Sequence, residues 1–332
     1  MKKYLLITLL AFLLVSTFAS TDVFAQDHNV GVIIPYEVGW FSAFKQGFEV
    51  AAEAENVNIN WQYHNYKPNE ETKAIQNLIT LGVDAINLTA ATPSSAQYSC
   101  QLANEADIPI QITESGLAEG PGEPISDIDF DWYEIYQFLA ENLREDVDGE
   151  LNILNVAGIA GSPPVMQGIE GLKDKLDEME NAQLATEVQY GDYATAKTLE
   201  VVKNIIQSGV EFNVAIGASQ EVTEGIIQAL NEEGIPLSDV TIVSVNGGPM
   251  DVENFKDGDL DYAISQSPGF HGMICATNLI NYLEGEEHVE KTFSPVRWVS
   301  QEDWEERLIP WGMNEKWLPR AENYLDTGEL EM

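Results

Sequence analysis

The 332-residue sequence has few of the residues that build disulfide frameworks and metal sites. It has two cysteines, Cys100 and Cys275, and its four histidines are scattered along the chain. Both cysteines lie in helix-like stretches, where we expect buried free thiols, although the sequence leaves a single bridge open. HExxH and paired CxxC motifs are absent, so we predict no metal and no cofactor.

Motifs of catalysis and of nucleotide binding are absent or incomplete. No GxSxG occurs, and no serine or cysteine has a visible basic partner, so the sequence gives nucleophilic hydrolysis no support. The segment GIAGSPPVMQG (158–168) resembles a phosphate-binding loop, but it lacks the Lys-Ser/Thr ending and has prolines where N–H donors are needed. We therefore expect a binding protein and not an enzyme.

Basic residues are scarce: 16 lysines and arginines stand against 55 acidic residues, which gives a net charge of −39. This charge repels nucleic acid and anionic membrane surfaces, so neither is an expected partner. The acids are spread along the chain in segments such as NEE, EGEE and QEDWEE. Because dispersed carboxylates keep a protein hydrated when salt screens their repulsion, we predict an acidic halophilic surface.

Long apolar runs are also rare. The run Tyr4–Val15 follows Lys2 and Lys3 and is shorter than the roughly 20 residues that span a bilayer as a helix. It predicts a signal peptide over 1–25 that is cleaved after Ala25, and no cysteine follows the run to carry a lipid. We expect a soluble protein in the periplasm.

Strand-like and helix-like segments alternate through the rest of the chain. Apolar strand-like runs are predicted at 30–35, 57–64, 84–90, 108–113, 151–158, 185–191, 212–218, 240–247 and 261–267. Helix-like segments with apolar residues at three- and four-residue spacing lie between them, which indicates an α/β fold with parallel sheets and crossover helices. The alternation breaks at 114–131, which we interpret as the first passage between two domains.

Ligands of open α/β sheets bind beyond the carboxyl ends of the strands. The residues that follow the predicted strands are mostly amides, hydroxyls and aromatics, with one carboxylate. Amides and carboxylates can each bind pairs of hydroxyl groups, and aromatic faces can cover the C–H face of a sugar ring. This set predicts a small neutral polyhydroxylated ligand.

Several segments together resemble the ribose-binding-like branch of the type I periplasmic binding proteins. They occur in the order that the family has: GVIIPYEVGWFSAFKQGFE, LTAATPSSA, IPIQITES, AGIAGSPPVMQGIEGL, GDYATAKTL, AIGASQEVTEGIIQAL and IVSVNGGPMDVENFKDGDLDYAISQSP. The resemblance covers about residues 29 to 300. It implies two Rossmann-like lobes with parallel sheets joined by a three-segment hinge, which close on a sugar and deliver it to an ABC importer. It also implies a monomer.

The resemblance assigns lobes, linkers and contacts. The N-terminal lobe is expected at 29–115 plus 267–290 and the C-terminal lobe at 122–263 plus 291–332, with linkers near 115–125, 246–250 and 264–270. The family's stacking aromatics fall on Trp40, Phe41 and Tyr193. Its polar contacts fall on Thr89, Glu114, Ser219 or Gln220, Asn246 and Gln266. Gln167 joins this candidate set because it ends the segment that follows the strand at 151–158.

Two departures from the family pattern bear on the class of ligand. Family members that bind pentoses and hexoses usually carry arginines at the positions of Ser115 and Met166, so an anionic ligand is disfavoured. Polyols, deoxy sugars, furanose-like signals and a cationic osmolyte enclosed by aromatics and Glu114 remain alternatives. Phe41 could instead pack in the core, and the protein could instead be the ligand-sensing partner of a membrane histidine kinase.

Overall fold

The computed structural model describes residues 28–331, so the predicted signal peptide lies outside the described residues. The first part of the chain alternates strands and helices. These elements are β1 (Asn29–Ile34), α1 (Trp40–Ala54), β2 (Asn58–Tyr63), α2 (Pro68–Leu81), β3 (Ala85–Thr89), α3 (Pro93–Glu105), β4 (Ile110–Thr113) and β5 (Ser126–Asp129).

The middle of the chain continues the alternation. Its elements are α4 (Trp132–Asp146), β6 (Leu151–Ala157), α5 (Pro163–Glu178), β7 (Ala182–Leu184), β8 (Gln189–Tyr190), α6 (Thr195–Gln207), β9 (Val214–Gly217), α7 (Gln220–Glu233), β10 (Thr241–Ser244), α8 (Pro249–Asp257) and β11 (Tyr262–Ser265). The final elements are α9 (Pro268–Glu284), β12 (Lys291–Phe293), β13 (Arg297–Ser300), α10 (Trp304–Arg307) and α11 (Leu318–Thr327). Short 3-10 turns occur at Leu237–Asp239 and Glu315–Trp317.

The strands form two sheets, as the sequence predicts. The first sheet has the order β12-β5-β4-β3-β1-β2 and all its pairs are parallel. The second has the order β13-β11-β10-β9-β6-β7, with β8 also paired to β6, and only its β11–β13 pair is antiparallel. Strands covered on both faces are rich in apolar residues, as in the fully buried β3 and β9.

Each sheet lies between two hydrophobic cores. Helices α1 and α9 cover one face of the first sheet, and α2 and α3 cover the other. In the second sheet, α4 and α5 cover one face, and α6, α7 and α8 cover the other. Helices α1 and α9 approach closely because a Cβ at Gly47 would lie 1.8 Å from the carbonyl oxygen of Gly269, so only glycine fits there.

Several segments belong to a different lobe from the one predicted from the sequence. Strand β5 lies within the range predicted for the C-terminal lobe, but it pairs with β4 in the first sheet. Strand β12 was also expected in the C-terminal lobe and pairs with β5. Helix α11 packs in the first core through Ala321 and Tyr324. The two strands could not be recognised in the sequence, because β5 reads Ser-Asp-Ile-Asp and β12 has only three residues. Neither strand has an apolar run.

The chain therefore passes between the sheets at other positions than expected. Residues 130–131 join β5 to α4, residues 266–267 join β11 to α9, and residues 294–296 join β12 to β13. The passage at 266–267 lies in the predicted range 264–270. The linker predicted at 246–250 was wrong, because these residues join β10 to α8 within the second lobe. After α10 the chain passes once more from the second lobe to the first, where it forms α11.

Cys100 and Cys275 are buried free thiols, which confirms that prediction. Among residues 28–331, no helix is long and apolar enough to cross a membrane.

Candidate functional site

The carboxyl ends of strands from both sheets meet at one cleft. Thr89 and Glu114 follow β3 and β4 of the first sheet, whereas Tyr193 follows β8 of the second. The two sides are in contact, because Trp40 of the first lobe bonds Gln266, which follows β11 of the second sheet. Burial raises the pKa of the Tyr193 phenol, and the Glu114 carboxylate adds to that rise. The structure therefore brings these strand ends to one cleft.

Trp40 begins helix α1 and lies between the two lobes, half-buried against a core of each. Its ring stacks on Phe44, with centroids 6.0 Å apart, and meets Phe130 edge to face at 6.4 Å. Its indole Nε1 donates a hydrogen bond to Gln266 Oε1 at 3.3 Å. Gln266 Nε2 in turn donates to the carbonyl oxygen of Val245 at 3.2 Å, which orients the amide.

Phe41 packs in the core, which is the alternative that the sequence left open. It is only 7% exposed and belongs to the core of the first lobe. Tyr36 meets its ring edge to face at 5.4 Å, and Tyr66 does so at 6.5 Å. These two tyrosines are partly exposed, so they, and not Phe41, supply aromatic surface at the cleft. Tyr66, which lies in a turn after β2, was not predicted from the sequence as a residue of the cleft.

Glu114 is held in an unusual backbone conformation directly after β4. Its φ of 59° lies in the left-handed region, and its side chain is 11% exposed. Its Oε1 atom is buried without a hydrogen-bond partner and lies 3.9 Å from His271 Nε2. Burial raises the pKa of this carboxyl well above its ordinary value, and the nearby Asp129 raises it further.

Asp129 is a second carboxyl at the same edge, which the sequence analysis missed. It ends β5, and Thr113 pairs with Ile128 in the register of β4 and β5, so Glu114 and Asp129 follow paired residues. Burial raises the pKa of Asp129 to about 7. Its Oδ1 accepts a hydrogen bond from the backbone N–H of Phe130 at 2.7 Å. The signal for this residue was its position at the carboxyl end of a strand, but β5 was not recognised because its sequence is polar.

His271, from α9, connects the site to a passage between the lobes. Its Nδ1 lies 2.5 Å from Ser294 Oγ, and its Nε2 lies 2.6 Å from Thr113 Oγ1. Burial lowers the pKa of His271 to about 3, so the imidazole is neutral at ordinary pH. It therefore provides hydrogen bonds and packing, and no positive charge, beside Glu114.

Thr89 and Asn246 bring unpaired polar atoms to the cleft from opposite lobes. Thr89 is 2% exposed and Asn246 is 6% exposed. Neither Thr89 Oγ1 nor Asn246 Oδ1 has a hydrogen-bond partner within the described chain. Because an unsatisfied buried polar atom is costly, such atoms at a cleft are candidates for ligand contacts.

Ser219 and Gln220 have structural partners. Ser219 caps helix α7, with its Oγ accepting from the N–H of Val222, and Gln220 Oε1 accepts from the N–H of Met250 at 2.8 Å. Both side chains also donate to the carboxylate of Glu221, at 2.8 Å and 3.1 Å. Burial raises the pKa of Tyr36 in the other lobe, and the charge of Glu221 adds to this rise. Glu221, which was not predicted from the sequence, thus orients the side chains of Ser219 and Gln220 at the start of α7.

Tyr193 is oriented by a glycine on the neighbouring strand end. A Cβ at Gly158 would lie 2.0 Å from Tyr193 Cζ, so the ring rests directly on the glycine backbone. Tyr193 itself has a φ of 55° and is 39% exposed. Gln167 is exposed on helix α5, and the structure describes no contact between it and the other candidate residues.

The positions where arginines were expected are occupied differently. Ser115 Oγ accepts from the N–H of Ala90 at 2.5 Å and donates to the carbonyl oxygen of Thr113 at 2.9 Å. It thus ties together the ends of β3 and β4. Met166 is 50% exposed. Neither residue supplies positive charge to the cleft.

Comparison with known proteins gives consistent matches. Residues 30–287 match the family model described as periplasmic binding protein domain. The ribose import binding protein of Bacillus subtilis (strain 168) is 21% identical over 298 residues, which cover 87% of this chain and 95% of that protein.

Solved structures with the same fold come from the same class of protein. An ABC transporter solute binding protein from Bacillus halodurans C-125 with bound myo-inositol has a TM-score of 0.77 and 22% identity, covering 85% of this chain and 97% of that chain. The periplasmic binding protein of the arabinose ABC transporter from Shewanella sp. ANA-3, bound to L-arabinofuranose, has a TM-score of 0.77 and 21% identity, covering 92% and 100%.

Proposed function

Because the chain belongs to the family of periplasmic binding protein domains, we propose that it captures a sugar or polyol between its lobes and delivers it to an ABC importer. The observation that carries this proposal is a set of buried polar atoms without partners at the cleft. Thr89 Oγ1, Glu114 Oε1 and Asn246 Oδ1 come from both lobes and can each bind a hydroxyl group. The relatives that bind ribose, myo-inositol and arabinofuranose support this ligand class.

The proposed mechanism uses binding without chemical change. The ligand enters between the lobes, its hydroxyl groups bind the unpaired atoms, and its C–H face covers the ring of Trp40. Because these contacts come from both lobes, they favour the closed arrangement, which the importer would recognise. The passages at 130–131, 266–267 and 294–296 would act as the hinge. The predicted signal peptide supports delivery to the periplasm, where a monomer would meet a permease.

A thermal-shift screen of the purified protein against pentoses, hexoses, inositols and alditols tests the proposal. A ligand at 100 times its dissociation constant stabilises a protein by about 2.7 kcal/mol, so a true ligand raises the melting temperature measurably. Recovery of the unchanged ligand from the protein after incubation separates capture from catalysis. If no sugar or polyol shifts the melting temperature, the proposed ligand class is wrong.

Thr89→Val provides a sharper test with the ligand found in that screen. Valine keeps the shape of threonine and removes only Oγ1, which has no partner within the described chain. We expect weaker binding, by about 1 kcal/mol, with unchanged or increased stability of the free protein. Thr80→Val is the matched control, because Thr80 Oγ1 bonds the carbonyl oxygen of Gln76 on exposed α2. Unchanged affinity in Thr89→Val would remove Thr89 from the site.

A further inference from the structure

Two neighbouring carboxyls share one edge of the cleft. Glu114 and Asp129 follow residues that pair in adjacent parallel strands, and such strands lie about 4.8 Å apart. Glu114 Oε1 is buried without a partner, whereas Asp129 Oδ1 binds the N–H of Phe130. One carboxyl is therefore anchored by the backbone, and the other is available to a ligand.

No lysine or arginine among residues 28–331 forms an ion pair with Glu114 or Asp129, and the lysines and arginines that form ion pairs do so with other acids. Burial raises the pKa of Asp129, and Lys291 opposes this rise only as a minor influence. Lys291 on the adjacent strand β12 lies over the ring of Phe293, 5.6 Å from its centroid. His271 is the nearest nitrogen base, and both of its ring nitrogens are occupied by the hydroxyl groups of Ser294 and Thr113.

Aromatic rings pack around His271, next to the available carboxyl. Trp40 lies 5.8 Å from the ring of His271, which itself lies beside Glu114. Phe44 and Phe130 also lie beside this ring, with centroids 5.5 Å and 4.9 Å away. Aromatic faces attract cations, and this attraction grows when the cation leaves water.

We propose that the ligand carries a positively charged amino group bound by Glu114, as in an amino sugar or an amino polyol. This inference rests on the proposed function, which assigns the hydroxyl groups of the same ligand to Thr89 and Asn246. An ammonium group pairs with the buried carboxyl that otherwise lacks a partner, and a charge-assisted hydrogen bond is about twice as strong as a neutral one. It differs from the neutral ligand predicted from the sequence.

Matched pairs of ligands test the inference by calorimetry. The pairs are D-glucose and D-glucosamine, D-galactose and D-galactosamine, and sorbitol and its 1-amino-1-deoxy derivative, together with choline as a cation without a polyol chain. Measurements in 1 M NaCl reduce the Debye length to about 3 Å, which removes general attraction by the acidic surface. We expect the amino member of at least one pair to bind at least about tenfold more tightly than its hydroxyl counterpart.

Two substitutions locate the source of this preference. Glu114→Gln keeps the size of the side chain and removes its charge, so it should abolish the preference: the two members of a pair should bind this variant with equal affinity. Glu119→Gln is the matched control, because Glu119 is an exposed acid between β4 and β5 of the same lobe. It should retain the full preference. A thermal melt of each variant establishes that it is folded.

The outcomes separate this inference from the proposed function. Equal or tighter binding of the neutral members overturns the amino group and leaves capture of a sugar or polyol standing. A preference that survives Glu114→Gln, or disappears in Glu119→Gln, also overturns the assignment to Glu114. Binding of choline alone supports a cation site but overturns the sugar or polyol class. If no member of the panel binds, the amino-group inference is wrong, and the wider thermal-shift screen alone decides the proposed function.

Discussion

Trp40 of helix α1 is hydrogen-bonded to Gln266, which lies in a passage between the two lobes. Gln266 also accepts, at its carbonyl oxygen, a hydrogen bond from Trp311 Nε1 at 3.1 Å. Trp311 belongs to the segment that returns the chain to the first lobe. The aromatic ring that we assign to the ligand is thus connected directly to residues that would move when the lobes close.

This connection gives Trp40 two separable roles. Trp40→Ala should weaken ligand binding by about 1 to 3 kcal/mol through loss of the ring. It should also lower the free energy of unfolding by a similar amount, because the ring packs on Phe44 and Phe130. Trp40→Phe, which keeps a ring but loses the hydrogen bond to Gln266 and part of the indole packing, should lose at least about 0.5–1.5 kcal/mol of stability.

Urea unfolding and calorimetry of the two Trp40 variants check this expectation. A Trp40→Ala variant with unchanged affinity and much lower stability would assign Trp40 to the core alone.

A substitution at Gly158 tests whether ligand binding depends on the position of the Tyr193 ring. In Gly158→Ala the new methyl group would overlap the ring, so Tyr193 must move outward from the cleft. Because Tyr193 is partly exposed, we expect this movement to cost little stability but to weaken binding at least about tenfold. Gly312→Ala is the control, since the nearest atom to its added Cβ is 3.9 Å away.

A double variant distinguishes displacement of Tyr193 from a direct clash with the ligand. If Gly158→Ala acts only through Tyr193, it should add no further loss of affinity in a Tyr193→Ala background. Additive losses in the double variant would mean that the methyl group itself meets the ligand.

Much of the fold could be predicted from the sequence, and the failures have common physical causes. Strands β1, β3 and β9 could be predicted because they are largely buried on both faces and therefore mostly apolar. Strand β5 was not predicted because it contains Asp127 and Asp129 and therefore has no apolar run. It is the second strand from one edge of its sheet. The helix α11 was assigned to the wrong lobe, since nothing in its own sequence states which core it contacts.

The candidate site could be predicted in position but not in detail. Residues after strands identified Trp40, Glu114 and Gln266, because the carboxyl ends of parallel strands converge. Local sequence could not reveal that Ser219 and Gln220 hold Glu221, or that His271 on a distant helix lies beside Glu114. These contacts depend on side-chain directions across elements that are far apart in the chain.

His271 should make the stability of the protein depend on pH in a recognisable direction. Its pKa is about 3 in the folded state and about 6.5 when unfolded, so the unfolded state binds more protons between these values. His271 therefore lowers stability as the pH falls from about 6.5 toward 3. Glu114 and Asp129, whose pKa values are raised, oppose this trend in the same region.

The substitution His271→Gln isolates the contribution of the imidazole. Glutamine keeps a donor and an acceptor but does not titrate, so the variant should be less stable than the parent at pH 8. The difference should shrink by more than about 1 kcal/mol between pH 6.5 and pH 4, measured by urea unfolding at each pH. His288→Gln, at a half-buried ring that contacts Tyr282, is the control. A pH-independent difference would contradict the assignment of a neutral, buried His271.

The excess of acidic residues predicts that salt stabilises the protein. With a net charge of −39, the folded chain brings carboxylates together that are farther apart when it unfolds. Raising NaCl from 0.1 M to 1 M shortens the Debye length from about 10 Å to about 3 Å, which screens this repulsion. We expect the melting temperature to rise steeply over that range. Replacing the exposed Glu286 and Glu287 by glutamine should reduce this dependence on salt, because fewer charges remain to be screened. A melting temperature that is independent of salt, or an equal rise in the variant, would contradict adaptation of the surface to high salt.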